Sequence, residues 1–370
     1  MTGNGTGSSR SAGLDALRLF AALFVVLYHY ADQAPVDPTK WLPILSNGWI
    51  ATDLFIMLSG FVLGRIYGPK LEAGGVDAMS FLAARIRRVW PAHLIVLVGF
   101  VALVLGTAAL GVVPQHPERF VLADLPANVA LIQGWGFLDH LSWNGPSWTL
   151  SALIVCWAGF PYLWRAAKPL EGRAAALLLA LDVLAVAALA CRLGLHVSPW
   201  RLPVDLSLLR AAPLFAAGAL LARAVKGLQF GPGEATLTAI GAGWAVLLFA
   251  SAKQPSDLSE LGVVLSLAFL IISLNASSFL HGAWTEQGAK ISFALFITHS
   301  FSGALWFGAV RLLGERIALA PDSRWILWIW GLLFAVGVAW AFERWVDAPV
   351  QRALTGLLAR KTARPQPQEA

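Results

Sequence analysis

The stretch LDALRLFAALFVVLYHYADQ, residues 14–33, decides how the chain is read. It is apolar enough to cross a bilayer, yet it carries Asp15, Arg18 and His29. An arginine at the centre of a membrane span costs about 2.5–3.5 kcal/mol even on a lenient insertion scale, so such groups are expected to face protein or water. Eleven positions of an α-helix turn only about 20° past three full turns, which puts Arg18 and His29 on one stripe about 16.5 Å apart along the axis. Asp15, three residues before Arg18, falls near the same stripe and within pairing reach. A plainer reading stays open, with a snorkelling arginine at one helix end and an interfacial histidine at the other.

The rest of the chain agrees with a membrane setting. Of 370 residues 58% are hydrophobic and 13% charged, with a mean hydropathy of +0.67. That balance excludes a soluble globular domain and points to an all-α, polytopic integral membrane helix bundle. Seventeen tryptophans against four tyrosines suit belts at the bilayer surface. The net charge of +6 is not interleaved with aromatics in a polar domain, so the lipid bilayer is the expected partner and nucleic acid is not. Cys156 and Cys191 lie in apolar runs, which supports neither a disulfide framework nor a metal site. Arg10 followed by an apolar run resembles a signal peptide. The three ionisable residues in that run, with no clean small-residue cleavage site after it, argue that it stays attached.

Segments long enough for about 30 Å of hydrocarbon are read at residues 14–32, 49–67, 91–113, 145–164, 174–195, 206–225, 235–252, 258–276, 291–313 and 325–343, about 10 transmembrane helices. Residues 121–138 are broken by Pro126 and polar groups and read as re-entrant or interfacial. An even number of spans places both termini on one side. Lys and Arg favour that side by about two to one, so N-in/C-in is expected. The division is a short disordered N-terminus at 1–13, a membrane domain at 14–352 and a polar, disordered cytoplasmic tail at 353–370. No internal repeat is visible, which counts against inverted-repeat transporter folds.

Further polar residues recur in or beside the spans. ATDLFIMLSGF (51–61) holds Asp53, Ser59 and Gly60, and RIRRVWPAHL (85–94) holds Arg85, Arg87, Arg88 and His93, with Pro91 suited to a first helical turn. The three arginines either anchor the span or clamp phosphates of a cofactor with their forked guanidinium groups. NGPSWTLSAL (144–153) offers Trp148 and Ser151 to a pocket, and SFALFITHS (292–300) adds Ser292 and a second intramembrane histidine, His299. FERWVDAPVQR (342–352) reads most simply as a helix-exit anchor.

Taken together these segments resemble the acyltransferase-3 family of bacterial integral-membrane O-acyltransferases. The resemblance is carried by Leu14-Asp15-Ala16-Leu17-Arg18 with Leu27-Tyr28-His29; by Asp53-Leu54-Phe55 with Leu58-Ser59-Gly60-Phe61; by Arg85, Arg88 and Pro91; by Ser292 through His299; and by Val346-Asp347-Ala348-Pro349. These matches run in order over nearly the whole chain. Two positions depart from the family pattern. The glutamate of its WSLSVE segment is Leu153 here, so any role of that carboxylate is missing or moved, and Asp347 stands for a glutamate. No appended soluble esterase-like domain is expected.

The resemblance implies a multi-pass protein of the bacterial inner membrane. It implies acetyl-CoA, or another acyl-CoA, as donor co-substrate with no tightly bound cofactor, and a hydroxyl of a carbohydrate or lipid-linked glycan as acceptor. A near-neutral imidazole can take a proton from such a hydroxyl as it attacks a thioester. His29 is the favoured base and His299 the alternative, with Asp15 and Arg18 as partners near the donor. Arg85, Arg87 and Arg88 would clamp the CoA phosphates, and Asp53, Ser59, Trp148, Ser151, Ser292 and His299 would line the substrate path. Two rivals predict otherwise: a transporter or flippase, with flux but no thioester consumed, and a scaffold of an export machine, with assembly defects but no chemistry.

Overall fold

A computed structural model describes residues 11–362 apart from 171, 229, 253–254, 278–281 and 318–319. Among the described residues every regular element is helical. In chain order these are α1 (Ala12–Tyr30), α2 (Trp49–Glu72), α3 (Ala78–Ala109), the short α4 (Leu125–Ala130), α5 (Trp148–Ala166), α6 (Arg173–Leu195), α7 (Ser207–Ala224), α8 (Pro232–Ala250), α9 (Asp257–Ala276), α10 (Ala283–Gly314), α11 (Pro321–Phe342) and α12 (Ala348–Thr362). Among the described residues nine candidate spans are long and apolar enough to cross a membrane. The chain is therefore a multi-pass helical membrane protein.

Ten spans are expected from the sequence; the one not among the nine is α5. It forms at the expected place but packs against α2, α3 and α7, with most of its residues buried. A helix walled in by other helices need not be apolar enough for lipid. Leu153, at the position of the family glutamate, is buried in this apolar core. Cys156 and Cys191 are free thiols.

Helix starts follow local chemistry. Ser11 caps α1 by accepting from Leu14 N at 3.4 Å, and its hydroxyl also reaches Leu274 O on α9 at 3.2 Å. Asp77 caps α3 through Met79 N and Ser80 N, each at 3.0 Å. That cap corrects the expected start of the third span. Pro91 does not open it but lies well inside a 32-residue helix. The missing proline N–H leaves the Arg87 carbonyl without its helical donor. Gln351 Nε2 donates to Arg87 O at 3.3 Å and to Arg88 O at 3.1 Å, so α12 repairs the gap. The tail expected to be disordered from residue 353 is instead helical as far as Thr362; residues 1–10 and 363–370 lie outside the described residues.

Residues 121–138 do not cross the bundle. After α4 the chain enters a left-handed turn at Leu131 (φ 55°) and another at Gly136 (φ 92°). Three hydrogen bonds fasten this irregular backbone: Gly134 N to Ser151 Oγ at 3.0 Å, the Trp135 indole to Ser151 O at 2.9 Å, and Ser207 Oγ to Gly134 O at 2.6 Å. Non-helical backbone at membrane depth is tolerated only where protein satisfies it.

The tightest seam joins α2 to α7. A Cβ on Gly60 would run into Phe215 O, and one on Gly218 into Met57 O, so both positions need glycine for the two backbones to approach. A second seam joins α1 to α10, and α10 also packs on α11. Because α1 and α2 run antiparallel, the bundle has two ends. One carries Ser11, Asp15, Arg18, Arg65 and the start of α3. The other carries His29, Tyr30 and the start of α11.

Candidate active site

The stripe on α1 forms as its spacing predicts at one end. Arg18 Nη1 lies 3.3 Å from Asp15 Oδ1, with the carboxylate buried and the guanidinium about one-third exposed. Arg65 on α2 hydrogen-bonds the Asn275 side chain at the same end. That bond joins α2 to α9, while Ser11 Oγ on Leu274 O ties the polar foot of α1 to α9 beside it.

At the other end His29 meets His299. The two rings lie 5.1 Å apart between centroids and are tilted by 32°. His29 is exposed whereas His299 is fully buried. Nδ1 of His299 faces two carbonyls of its own helix, Phe296 O at 2.8 Å and Leu295 O at 3.1 Å. Carbonyls only accept, so Nδ1 carries the proton and Nε2 of the neutral ring holds the lone pair. That Nε2 is buried and has no hydrogen-bond partner among the described residues. A buried acceptor left open at the edge of an accessible histidine is what a proton-abstracting site needs.

The backbone under His299 is held from α1. Tyr30 donates its hydroxyl to His299 O at 2.7 Å and lies 3.1 Å from Ser302 Oγ, which itself donates to His299 O at 3.0 Å. The Trp328 indole on α11 donates to Tyr30 O at 2.7 Å. From the other side, Asn144 Nδ2 donates to Ile297 O at 2.9 Å. Gln133 Nε2 donates to Ser147 Oγ at 2.9 Å, and Ser147 Oγ donates to Asn144 O at 2.7 Å. Each amide keeps a buried carbonyl oxygen, Asn144 Oδ1 and Gln133 Oε1, with no partner among the described residues. Two buried acceptors are thus left open in the network that holds Ile297 O.

Asp53 is fully buried, and Arg210 Nε donates to its Oδ1 at 2.8 Å. The same guanidinium lies 5.3 Å over the Trp148 ring and donates to Trp49 O at 3.4 Å. Asp53 and Trp148 are thus brought together, through an arginine that the sequence reading passed over. Ser151 accepts from Gly134 N and Ser59 from the Trp157 indole at 3.2 Å; Ser292 donates to Ala289 O of its own helix at 2.9 Å. These three hydroxyls are not gathered into one cluster.

The arginines of α3 lie at the Asp15 end, away from the histidines. Arg85 donates to Tyr67 Oη at 2.7 Å, while its Nε is buried without a partner among the described residues. Arg88 bonds both oxygens of Asp347, at 2.9 and 3.1 Å, and lies 4.7 Å over the Phe293 ring. Arg87 is exposed. Asp347 is therefore the partner of a candidate phosphate ligand and more than a helix-exit anchor. His93 is also buried, with Nε2 donating to Asn128 O at 2.8 Å.

The residues that sequence reasoning missed are Arg210, Arg119, Tyr30, Gln133 and Asn144. A signal existed for Arg210, since an arginine inside a span demands a partner and Asp53 was a lone acid in another. Arg119 follows α3 in an exposed loop, where the adjoining Phe120 packs on Phe100, and Phe100 on Phe301 of α10. Nearby, His140 bridges Asp139 Oδ1 at 2.8 Å and Asp124 Oδ2 at 2.9 Å. These hydrogen bonds, first that from Asp139 and then that from Asp124, raise its pKa above the ordinary histidine value.

The chain is thus an all-α integral membrane bundle in which His29 at the end of α1 meets His299 on α10. The sequence profile of the family described as "Acyltransferase domain" matches residues 11–344, and the chain belongs to that acyltransferase-3 family. It is an acyltransferase. It is 32% identical over 186 residues to "Protein 2 in picA locus" of Rhizobium radiobacter, covering 47% of this chain and 93% of that protein. It is 29% identical over 170 residues to "Acyltransferase MdmB" of Streptomyces mycarofaciens, covering 44% of this chain but 42% of the relative. It is 28% identical over 127 residues to "Putative O-acetyltransferase SACOL0978" of Staphylococcus aureus, covering 34% of this chain and 18% of the relative. No solved structure matches the chain.

Proposed function

We propose that the protein carries an acyl group, acetyl in the first instance, from an acyl-CoA thioester to a hydroxyl of a carbohydrate or lipid-linked glycan. The observation that carries this reading is the His29–His299 contact, with the buried Nε2 of His299 unpaired. A neutral imidazole accepts the proton of the incoming hydroxyl while its oxygen attacks the thioester carbonyl. The carbon–sulfur bond then breaks, the ester is left on the acceptor, and the imidazolium returns the proton to the leaving thiolate. Accessible His29 is the group the acceptor meets first. His299, fixed in its tautomer by Phe296 O and Leu295 O, is the partner that takes or relays the proton.

The donor is read as entering at the opposite end, where Arg87 and Arg85, with Arg18 and Arg65 nearby, offer cationic groups for CoA phosphates. About 16.5 Å along α1 separates Arg18 from His29. An extended arm carrying the thioester suits that gap, since a donor held at the arginines must still reach the imidazoles. With the N-in/C-in topology and the bacterial inner membrane expected from the sequence, this donor end would face the cytoplasm. The O-acetyltransferase wording in a relative's name supports an acetyl group and an oxygen acceptor.

The test is transfer in proteoliposomes from labelled acetyl-CoA, with release of CoA and acetylation of added cell-envelope glycans followed by mass spectrometry. Acetylated glycan that appears with wild type and vanishes with His29→Ala is the expected result. Glycan or solute crossing the membrane with no thioester consumed would overturn the reading.

A further inference from the structure

The end of the bundle that carries His29 holds a cleft of about 500 Å³ between the segment after α1, the last turns of α10 and the start of α11. Its walls include Gln33, Phe307, Arg311, Glu315, Arg324 and Trp328. The cleft adjoins the site through Tyr30. The Phe307 ring packs edge-on against Tyr30 at 5.0 Å, and Trp328 holds the Tyr30 carbonyl.

The charges of this cleft are unevenly matched. Arg311 lies 3.8 Å from Glu315 and donates to Val113 O at 2.9 Å, which ties the loop after α3 to the cleft. Arg324 is exposed, and its guanidinium has no ion pair or hydrogen bond among the described residues. Arg119, on that tethered loop, is exposed, and its guanidinium likewise has no ion pair or hydrogen bond among the described residues. Two guanidinium forks without an ion pair among the described residues thus lie at this end, Arg324 in the cleft wall and Arg119 on the tethered loop, where Glu118 precedes it in the chain. Beside them Trp325 packs edge-on to Trp328 at 5.8 Å and stacks on Trp41 at 6.0 Å, which extends the aromatic wall outward. Aromatic walls with a few placed polar groups are how binding clefts orient a ligand, and a guanidinium fork matches the paired oxygens of phosphate or carboxylate.

We propose that this cleft receives an anionic sugar acceptor, one bearing a phosphate or a carboxylate, with Arg324 and Arg119 gripping the oxyanion and Trp328 facing the ring. The proposal rests on the acyltransferase reading of the adjoining histidines and names the acceptor's charge. A hydroxyl on the gripped sugar is thereby held beside His29.

The experiment titrates the purified protein in phosphatidylcholine nanodiscs with glucose 1-phosphate, glucuronate and glucose, read by saturation-transfer NMR without acetyl-CoA. At least one anionic sugar should bind about tenfold or more tightly than glucose. Preference for glucose 1-phosphate identifies a phosphate and preference for glucuronate a carboxylate; either supports the proposal. Arg324→Ala should weaken binding of the preferred sugar about tenfold, with part retained in Arg324→Lys. Equal binding of all three sugars, or anionic binding unchanged in both Arg324→Ala and Arg119→Ala, overturns it. Adding phosphatidylglycerol to the nanodiscs should leave sugar binding unchanged; abolition would mean the arginines hold a lipid headgroup, and the proposal falls. The comparison of sugars on wild type needs no variant to fold. Binding is read apart from transfer, so loss of acetyl transfer to every glycan overturns the functional reading without deciding this one.

Discussion

The α2–α7 seam and the α1–α10 seam both bury ionisable side chains, and they treat them in opposite ways. Between α2 and α7, Asp53 is met by Arg210, whose guanidinium also reaches Trp49 O and the Trp148 ring. Between α1 and α10, His299 is fixed through one nitrogen and left open at the other, against an accessible His29. The first arrangement uses its charge to join two helices. The second keeps a lone pair available. Burial of an ionisable group is therefore a poor guide to function; what matters is whether a neighbour already consumes its chemistry.

The sharpest way to break this comparison is to remove one member of each pair. His29→Ala and His299→Ala are each expected to lower acyl transfer by about 10²–10⁴-fold, the usual contribution of a proton-transfer group, with only a small change in melting temperature. A His299→Ala variant at full rate would make the α1–α10 seam as structural as the other. Arg210→Met should do the reverse and destabilise the protein by about 3–5 kcal/mol, because Asp53 would remain buried without its counter-charge. The double variant Asp53→Asn/Arg210→Met should regain most of that loss in thermal denaturation in detergent. An equal loss in the double variant would show that packing rather than charge joins the helices.

Gly218→Ala tests the same seam through its backbone, since the added methyl meets Met57 O. Overpacking of about 1–3 kcal/mol is expected in the same denaturation assay. Tyr30→Phe removes only the hydroxyl that bonds His299 O, at about 1 kcal/mol; transfer measured in proteoliposomes should fall several-fold, well short of the histidine variants. The smallest effect concerns His140. Its pKa is raised in the fold by Asp139 and Asp124, so the order it adds is present below the ordinary histidine value and is lost as pH rises through the raised one. Hydrogen exchange at residues 137–142, corrected for intrinsic rate, should be faster above that transition than at pH 6, and Asp124→Asn should flatten the dependence.

Much of the bundle was legible because membrane spans are a local signal. Helices form at all ten expected segments, and the break at 121–138 falls where Pro126 and polar groups put it. The differences have local causes too. The Arg-rich turns before Pro91 are too polar to read as a span, yet they extend α3 back to Asp77, with Gln351 satisfying carbonyls near the proline. α5 falls short as a membrane span because its neighbours shield it from lipid. The Asp15–Arg18 pair was legible from i,i+3 spacing. Arg210 as the partner of Asp53, 157 positions away, was not. Neither was the tie between α10 and the loop after α3, made by Arg311 and Val113 O 198 positions apart.

By itself the sequence determined the membrane setting, the run of helices, and the alignment of Asp15, Arg18 and His29 along α1. Each follows from hydropathy and from the fixed pitch of a helix, which need no knowledge of neighbours. Only the tertiary structure decided that His29 meets His299, that Tyr30 holds the backbone of a residue 269 positions away, and that Asp53 is neutralised by Arg210. Those contacts depend on how each helix is rotated about its axis and how closely small residues let it approach the next. Hydrocarbon solvates every apolar face alike, so helix packing rather than hydropathy selects the face turned inward.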